Sequence, residues 1–302
     1  MLNAFTQLLS VRDVQLRQRY PSLFHAYDRL VPNVRLRRAV RTVYDLFTQT
    51  GRMLLGDVTC RTTLHGTPIT FIDRGQYDYY DKLRQGRAHE PALTRRLAEL
   101  FNGLESPTFV DVGAHFGYFT VYAGKALAGR GRVVAVEPNA GFHAHLQRNV
   151  AVNGLTGKVS TYQIAFSSQG GHGRMTGWDH RVLAEESEGA VEVVTFDDFC
   201  VRQAIRPDIV KIDVHGGEGR ILAGMPRMLL HGVSHLFCEL HRDMLGYTAT
   251  DLVAMLQAAG LEVAEFTRHR EDDGGQVVPI STALLENPSD HVLYARRPGS
   301  PA

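Results

Sequence analysis

Long apolar runs are absent from this sequence: no uninterrupted stretch approaches the roughly 20 residues that a membrane-crossing helix requires. The first residues, MLNAFTQLLSVRD, lack both a charged leader and an apolar region ending in small residues, which argues against a secretory signal. Cysteine is scarce. Cys60, Cys200 and Cys238 are odd in number and far apart, so they read as reduced structural thiols in a cytoplasmic protein. No Cys-x-x-Cys or Cys-x-x-x-Cys pair exists to build a structural zinc site of that kind. Excess charge of one sign is also missing, with 33 Lys and Arg against 32 Asp and Glu. No global field therefore draws nucleic acid or an anionic membrane.

What is present is ordinary globular composition, 44% apolar and 22% charged over 302 residues, enough to bury at least one large core. Three regions are expected. Residues 1–56 carry apolar side chains at helical spacings (Phe5, Leu8, Leu9; Val40, Val43, Tyr44, Phe47), with Pro21 and Pro32 at element boundaries and an Arg-rich polar face at Arg35, Arg37, Arg38 and Arg41. These helices are a candidate homodimer surface. Residues 57–105 begin with a hairpin, alternating at Val58, Cys60, Thr62 and Leu64 and again at Ile69 and Phe71 around Gly66, and end in a helix from Pro91 to Phe101. From residue 106 to 302 short apolar strands alternate with helical segments, the pattern of a mostly parallel sheet with crossover helices. Seven strands are expected: Phe109–Asp111, Val133–Glu137, Val159–Ile164, Ile209–Asp213, Leu236–Glu239, Leu261–Phe266 and His291–Ala295.

The most informative segment is FVDVGAHFGYFT, where a strand meets Gly113 and Gly117 and then an apolar helix. Glycines in a strand-to-helix turn permit close backbone approach and leave N–H groups to aim at a ligand. The spacing is Gly-x-x-x-Gly, not the Gly-x-Gly-x-x-Gly of dinucleotide sites. The next strand ends in Glu137-Pro138-Asn139, placing an acid where it can accept hydrogen bonds from two ribose hydroxyls. After the third strand, Ala165 and Phe166 could wall an adenine, with Gln163 at its edge; Phe166 is equally readable as core.

A second charged segment, Lys211-Ile212-Asp213-Val214-His215-Gly216-Gly217-Glu218, brings four ionisable groups to another strand tip. Lys211 reads as an outward or edge-facing member of its strand. The following strand ends with Glu239 and His241, two residues apart and on one face if extended. Asp213, His215, Glu239 and His241 could form a proton-accepting network, with Glu218 beside it, or could hold a divalent metal through oxygen and imidazole ligands. The lack of a compact motif such as His-Glu-x-x-His weighs against the metal.

Together these segments resemble the FkbM family of methyltransferases. The resemblance spans roughly Val58 to Arg297 and rests on DVGAHFGYFT, VVAVEPN, the Asn149-to-Asn153 stretch, VTFDDF, VKIDVHGGEGRILAG and CELH. It implies a Rossmann-like, doubly wound class I domain, S-adenosylmethionine as donor, and often O-methylation of sugars or secondary metabolites. Asp111, Gly113, Ala114, His115, Gly117 and Tyr118, continuing into Phe119 and Thr120, match the family's donor loop; Glu137 matches its ribose acid, followed by Pro138 and Asn139; Asp213 and Glu218 match its second motif. The family commonly has Asn at the position of His115 and Glu at that of His215.

The expected reaction is transfer of a methyl group to a hydroxyl oxygen of a small molecule, helped by a His or carboxylate that takes the proton. N-methylation, a donor-binding partner protein without turnover and a nicotinamide oxidoreductase are the rivals. Tyr77, Tyr79, Tyr80, Trp178 and the segment from His172 to Glu188 are candidate cover for an acceptor pocket.

Overall fold

The computed structural model describes residues 59–72, 82–83, 85–176, 181–184, 191–242, 244–267, 269–271 and 274–301. The N-terminal helices with their proposed dimer surface, the Tyr77–Tyr80 stretch and Trp178 lie outside the described residues. The chain divides into two compact units: residues 61–71 with 82–302, and residues 1–60 with 72–81. Apart from Thr59, Cys60 and Ile72, everything described belongs to the first.

Strands β1 (Thr59–Leu64) and β2 (Thr67–Ile72) form the expected hairpin, with Gly66 in the left-handed region at φ 78°. Helix α1 (Pro91–Gly103) follows with proline in its first turn, where its missing N–H costs nothing. Its Ala92, Leu93, Leu97, Leu100 and Phe101 are buried at the spacing of one helical face. Then the α/β pattern begins: β3 (Thr108–Val112), α2 (Tyr118–Leu127), β4 (Arg132–Val136), α3 (Ala140–Val152) and β5 (Val159–Tyr162). After β5 come four short strands, β6 (Ala165–Phe166), β7 (Gly171–Thr176), β8 (Arg181–Ala184) and β9 (Val191–Val194). The main sheet resumes through α4 (Phe196–Arg202), β10 (Ile209–Ile212), α5 (Glu218–Ala223), α6 (Pro226–His231), β11 (His235–Glu239), α7 (Ala249–Ala258), β12 (Glu262–Phe266), β13 (Val277–Val278), α8 (Thr282–Glu286) and β14 (Val292–Arg296).

The main sheet has the order β13-β12-β14-β11-β10-β3-β4-β5. Strands β11, β10, β3, β4 and β5 run parallel, whereas β14 is antiparallel to both its neighbours and β13 is antiparallel to β12. It is thus an eight-stranded mixed sheet rather than a seven-stranded one. The extra strand, β13, is a two-residue edge strand, too short to leave an alternation in the sequence.

Two further expectations are corrected. The run from Val159 to Ile164 is not one strand: β5 stops at Tyr162, and Ala165–Phe166 joins a second, four-stranded sheet of order β6-β9-β7-β8. That second sheet draws in much of the segment read as cover for an acceptor pocket. Lys211 is not outward or at an edge. It stands on the central strand β10, 4% exposed, in register with Asp111 of β3 on one side and Phe237 of β11 on the other.

The central strands are buried along their length, β10 and β11 at every residue, as parallel strands covered on both faces must be. Each Val, Ile, Leu or Phe side chain fully removed from water there contributes about 1.5–3 kcal/mol. The chain runs from β3 outward through β4 to β5, then crosses back to place β10 on the other side of β3. Ligands of open α/β sheets bind at such a reversal, beyond the carboxyl ends of the strands. The residues leaving β3, β4, β10 and β11 therefore define the site.

Candidate active site

The β3–α2 turn is an internally bonded unit. The N–H groups of Gly113 and Ala114 both donate to the Val136 carbonyl at 3.0 Å, and Gly117 N–H donates to Ala114 at 2.8 Å. His115, at φ 52°, donates its N–H to Glu137 Oε2 at 2.8 Å. The expectation that these N–H groups are left for a ligand is therefore corrected: all four are engaged within the protein. The glycines have another cause. Gly113 (φ 78°) lies against the Asp213 carbonyl, and Gly117 (φ 90°) against the Leu146 side chain, so that a Cβ on either would overlap its neighbour. They fit β3 to β10 and α2 to α3.

Glu137 leaves the tip of β4 with its carboxylate buried. Besides His115, it accepts from Asn139 N–H through Oε1 at 2.8 Å. Burial pushes its pKa up to about 7 against the pull of these two donors. Each oxygen keeps a second lone pair able to accept a hydroxyl. Asn139 caps α3, its Oδ1 accepting from Gly141 and Phe142 N–H, and Pro138 is the half-buried link between acid and cap.

Several of the residues expected at the donor site make contacts of their own within the fold. Tyr118 is buried, its hydroxyl bonded to Thr94 Oγ1 at 3.0 Å and accepting His89 N–H at 3.2 Å, with its ring stacked on Phe71. Phe119 carries the Lys211 ammonium 4.9 Å from its ring centroid. Thr120 donates to Asp111 Oδ2 at 2.6 Å. Phe166 packs edge-on to Phe196 and Phe199 of α4, and Ala165 is buried beside it. Gln163 is exposed.

At the β10 tip, Lys211 Nζ lies 3.3 Å from Asp213 Oδ2 and 3.9 Å from Asp111 Oδ1. Burial alone would raise Asp213, but Lys211, His215 and His241 hold it down to about 2. Burial likewise raises Asp111, more than Lys211 and Thr120 lower it. Asp111 Oδ1 and Asp213 Oδ1 are both buried without a hydrogen-bond partner.

His241 reaches this tip from just beyond β11. Its Nδ1 lies 2.6 Å from Glu218 Oε1 and its Nε2 lies 3.8 Å from Asp213 Oδ1. Glu218 is fully buried and also accepts Gly216 N–H at 2.9 Å. With Glu218 Oε1 as the acceptor here, as it is for the Gly216 N–H, Nδ1 of His241 carries the proton and Nε2 offers its lone pair at the mouth. Burial would lower this imidazole, but the Glu218 hydrogen bond and charge, with Asp213 and Glu239, raise it. The His215 ring, exposed and at φ 55°, meets His241 edge-on with centroids 4.5 Å apart. The structure thus brings Asp213, His215, Glu218 and His241 together.

Glu239 does not join them by a hydrogen bond. Its Oε1 pairs with Arg270 Nη2 at 2.5 Å and its Oε2 lies 4.0 Å from His269 Nε2. Lys211, Glu90, His269 and Arg270 are the residues near the site that sequence reasoning misplaced or did not single out. Glu90 reads only as the residue before a helix-starting proline, and His269 and Arg270 fall in a polar loop.

A doubly wound sheet with a buried acid at the second strand's tip and an imidazole–carboxylate pair at the topological reversal defines a class I methyltransferase architecture. The chain belongs to the FkbM methyltransferase family: residues 111–278, more than half its length, match the Methyltransferase FkbM domain. No protein of curated function matches the sequence. Among solved structures, the methyltransferase FkbM from Methylobacillus flagellatus KT is 17% identical with a TM-score of 0.44, over 63% of this chain. This chain spans only 44% of that protein. A SAM-dependent methyltransferase from Agrobacterium tumefaciens is 12% identical over 81% of this chain and 71% of its own, with a TM-score of 0.46. Precorrin-6y C5,15-methyltransferase from Geobacter metallireducens GS-15 is 15% identical over 68% and 87% respectively, with a TM-score of 0.38.

Proposed function

We propose that this protein transfers the methyl group of S-adenosylmethionine to a hydroxyl oxygen of a small molecule, a sugar or secondary metabolite. The observation that carries this reading is the 2.6 Å contact between Glu218 and His241 Nδ1, which orients Nε2 as a proton acceptor. The residues also fit the donor. A ligand with vicinal hydroxyls and an ammonium supplies the donors that the second lone pairs of Glu137 and the buried oxygens of Asp111 and Asp213 lack.

The donor contributes an electrophilic methyl on a sulfonium, and the chain's own residues do the rest. Glu137 holds the ribose while it fixes the His115 and Asn139 turns. Asp213, kept ionised by Lys211, stabilises the positive charge that His241 acquires as it takes the hydroxyl proton at Nε2. An amine needs no such acceptor once neutral, which is why the dyad favours oxygen over nitrogen.

Among the described residues no helix is long and apolar enough to cross a membrane. Titration calorimetry with S-adenosylmethionine and a nicotinamide dinucleotide, followed by methyl transfer from labelled donor to a panel of sugars and phenols, tests the proposal. Saturable binding of the first alone and label on oxygen are expected. Binding of the dinucleotide instead, or label confined to amines, would overturn it.

A further inference from the structure

A second polar cluster lies on the other side of the β11 tip. Glu90 at the start of α1, Glu239 at the end of β11 and His269 in the loop after β12 are each at most 6% exposed. One atom from each lies within 4.8 Å of the other two. His269 Nε2 is 4.0 Å from Glu90 Oε2 and 4.0 Å from Glu239 Oε2. Glu90 Oε2 and His269 Nε2 are buried and have no hydrogen-bond partner.

The two carboxylates are arranged alike. Each gives one oxygen to a cation-capable side chain, Glu239 Oε1 to Arg270 and Glu90 Oε1 to His89 at 3.7 Å, and turns the other toward His269. Two buried carboxylates at this separation repel when ionised, and among the described residues Glu90 Oε2 and His269 Nε2 find no hydrogen-bond partner to bridge them. With two of the three separations at 4.0 Å and the third no more than 4.8 Å, a common centre lies about 2.5 Å or less from each atom, within a small adjustment of the ~2.0–2.2 Å of a divalent first-row metal bound by imidazole and carboxylate.

The geometry points to a divalent-metal site formed by Glu90 Oε2, Glu239 Oε2 and His269 Nε2, stapling the start of α1 and the loop after β12 to the tip of β11. Burial pushes Glu90 up to about 8, raised further by the Glu239 charge, pushes Glu239 up to about 7, raised further by Asp213, and lowers His269 to about 4. The imidazole is thus neutral, as a ligand must be, and a cation relieves the strain between the carboxylates. The neighbouring positive charges do not oppose it alone: Arg270 also pairs with Asp290 at 2.7 Å, and Lys211 with Asp213 and Asp111. The cluster shares no ligand with Asp213, His215 and His241, the other group among the described residues whose geometry suits a metal.

The test uses the full chain, stripped with chelator and titrated with Co²⁺, Zn²⁺ and Mn²⁺. One ion per chain is expected, with visible Co²⁺ bands displaced by Zn²⁺ and a melting temperature that rises with metal concentration. His269→Gln and Glu90→Gln should each weaken binding by about 100-fold or more, beyond the ~10–100-fold typical of losing an outer partner. His241→Ala should leave it unchanged. Because either ligand variant could fail to fold, anomalous scattering from Mn²⁺-soaked wild-type crystals provides an independent reading. A peak between Glu90, Glu239 and His269 is expected. A peak only at Asp213, His215 and His241, or no binding at millimolar metal, would overturn the assignment.

Discussion

The two halves of the crevice are built from different materials. On the proposed donor side, at the tips of β3 and β4, the structure is made by backbone: N–H groups of the turn bond to Val136, Ala114 and Glu137, and glycines allow β3 to touch β10. On the side of β10 and β11 it is made by side chains from segments remote in sequence, Glu218 to His241, Lys211 to Asp111, Glu239 to Arg270. Backbone geometry tolerates almost no substitution at a few positions. Side-chain networks instead tolerate replacement structurally and lose chemistry. The contrast predicts that variants of the first half fail in folding or binding, and those of the second in rate or pH dependence.

The largest effect should come from Gly113→Ala. It forces a left-handed residue, costing about 1–2 kcal/mol, and drives a methyl into the Asp213 carbonyl, costing about 1–3 kcal/mol more. Thermal unfolding should show the loss, and donor affinity should fall with it. A variant as stable as wild type would mean that the β3–β10 approach is not rigid.

His241→Ala should lower kcat by about 100-fold or more with donor affinity nearly unchanged. Because Glu218 and Asp213 raise this imidazole, the wild-type rate should rise with pH along a limb lying above the ordinary histidine value of 6.5. That limb should vanish in the variant. Equal loss of donor binding would erase the distinction between the two halves. Glu137→Ala should do the converse, weakening S-adenosylmethionine by about 1–3 kcal/mol in calorimetry. Some of that loss would come from releasing the His115 and Asn139 N–H groups, so Glu137→Gln, which keeps one acceptor, should fall between.

Legibility in the sequence follows the same division. The strands of β3, β4, β10 and β11 are near-continuous apolar runs ending in a charge, and local composition suffices to place Glu137, Asp213 and Glu218. The β13 edge and the β6–β9 sheet escaped because strands of two to six residues, β7 broken further by Gly171 and Gly173, are too short to leave a period to read. The roles of Gly113 and Gly117 were legible as turns, but their cause, a neighbour arriving from β10 or α3, was not. Lys211 was misplaced because alternation tells which residues share a face and not whether that face is covered. Glu90, His269 and Arg270 meet Glu239 only through the packing of α1 and the β12–β13 loop onto β11, a relation between segments far apart in sequence.

The smallest effect isolates the Glu90–Glu239 pair by its response to protons. In metal-free protein, Glu90 sits at about 8 in the folded state against 4.5 as the ordinary value. A group raised on folding contributes stability that is fully present below the unfolded value and is lost as pH rises through the folded one. The metal-free protein should therefore melt at a lower temperature at pH 9 than at pH 5 from this cause, as Glu90 and Glu239 are forced to ionise together. Glu90→Gln removes the repulsion, so its advantage over wild type should grow from pH 5 to pH 9, reaching a few degrees at about 2–4 °C per kcal/mol. Asp213 itself should not respond in this window, because Lys211, His215 and His241 hold it down to about 2. His241, raised above its ordinary value, also loses stabilising protons as pH rises, but that contribution is common to wild type and Glu90→Gln and drops out of their difference. Adding Zn²⁺ or Mn²⁺ should reverse the wild-type trend, since a bound cation competes with protons and gains as they leave. A melting curve for the Glu90→Gln variant that tracks wild type at both pH values would show that the two carboxylates do not feel each other, and the cluster would then be no more than buried packing beside the proposed active site.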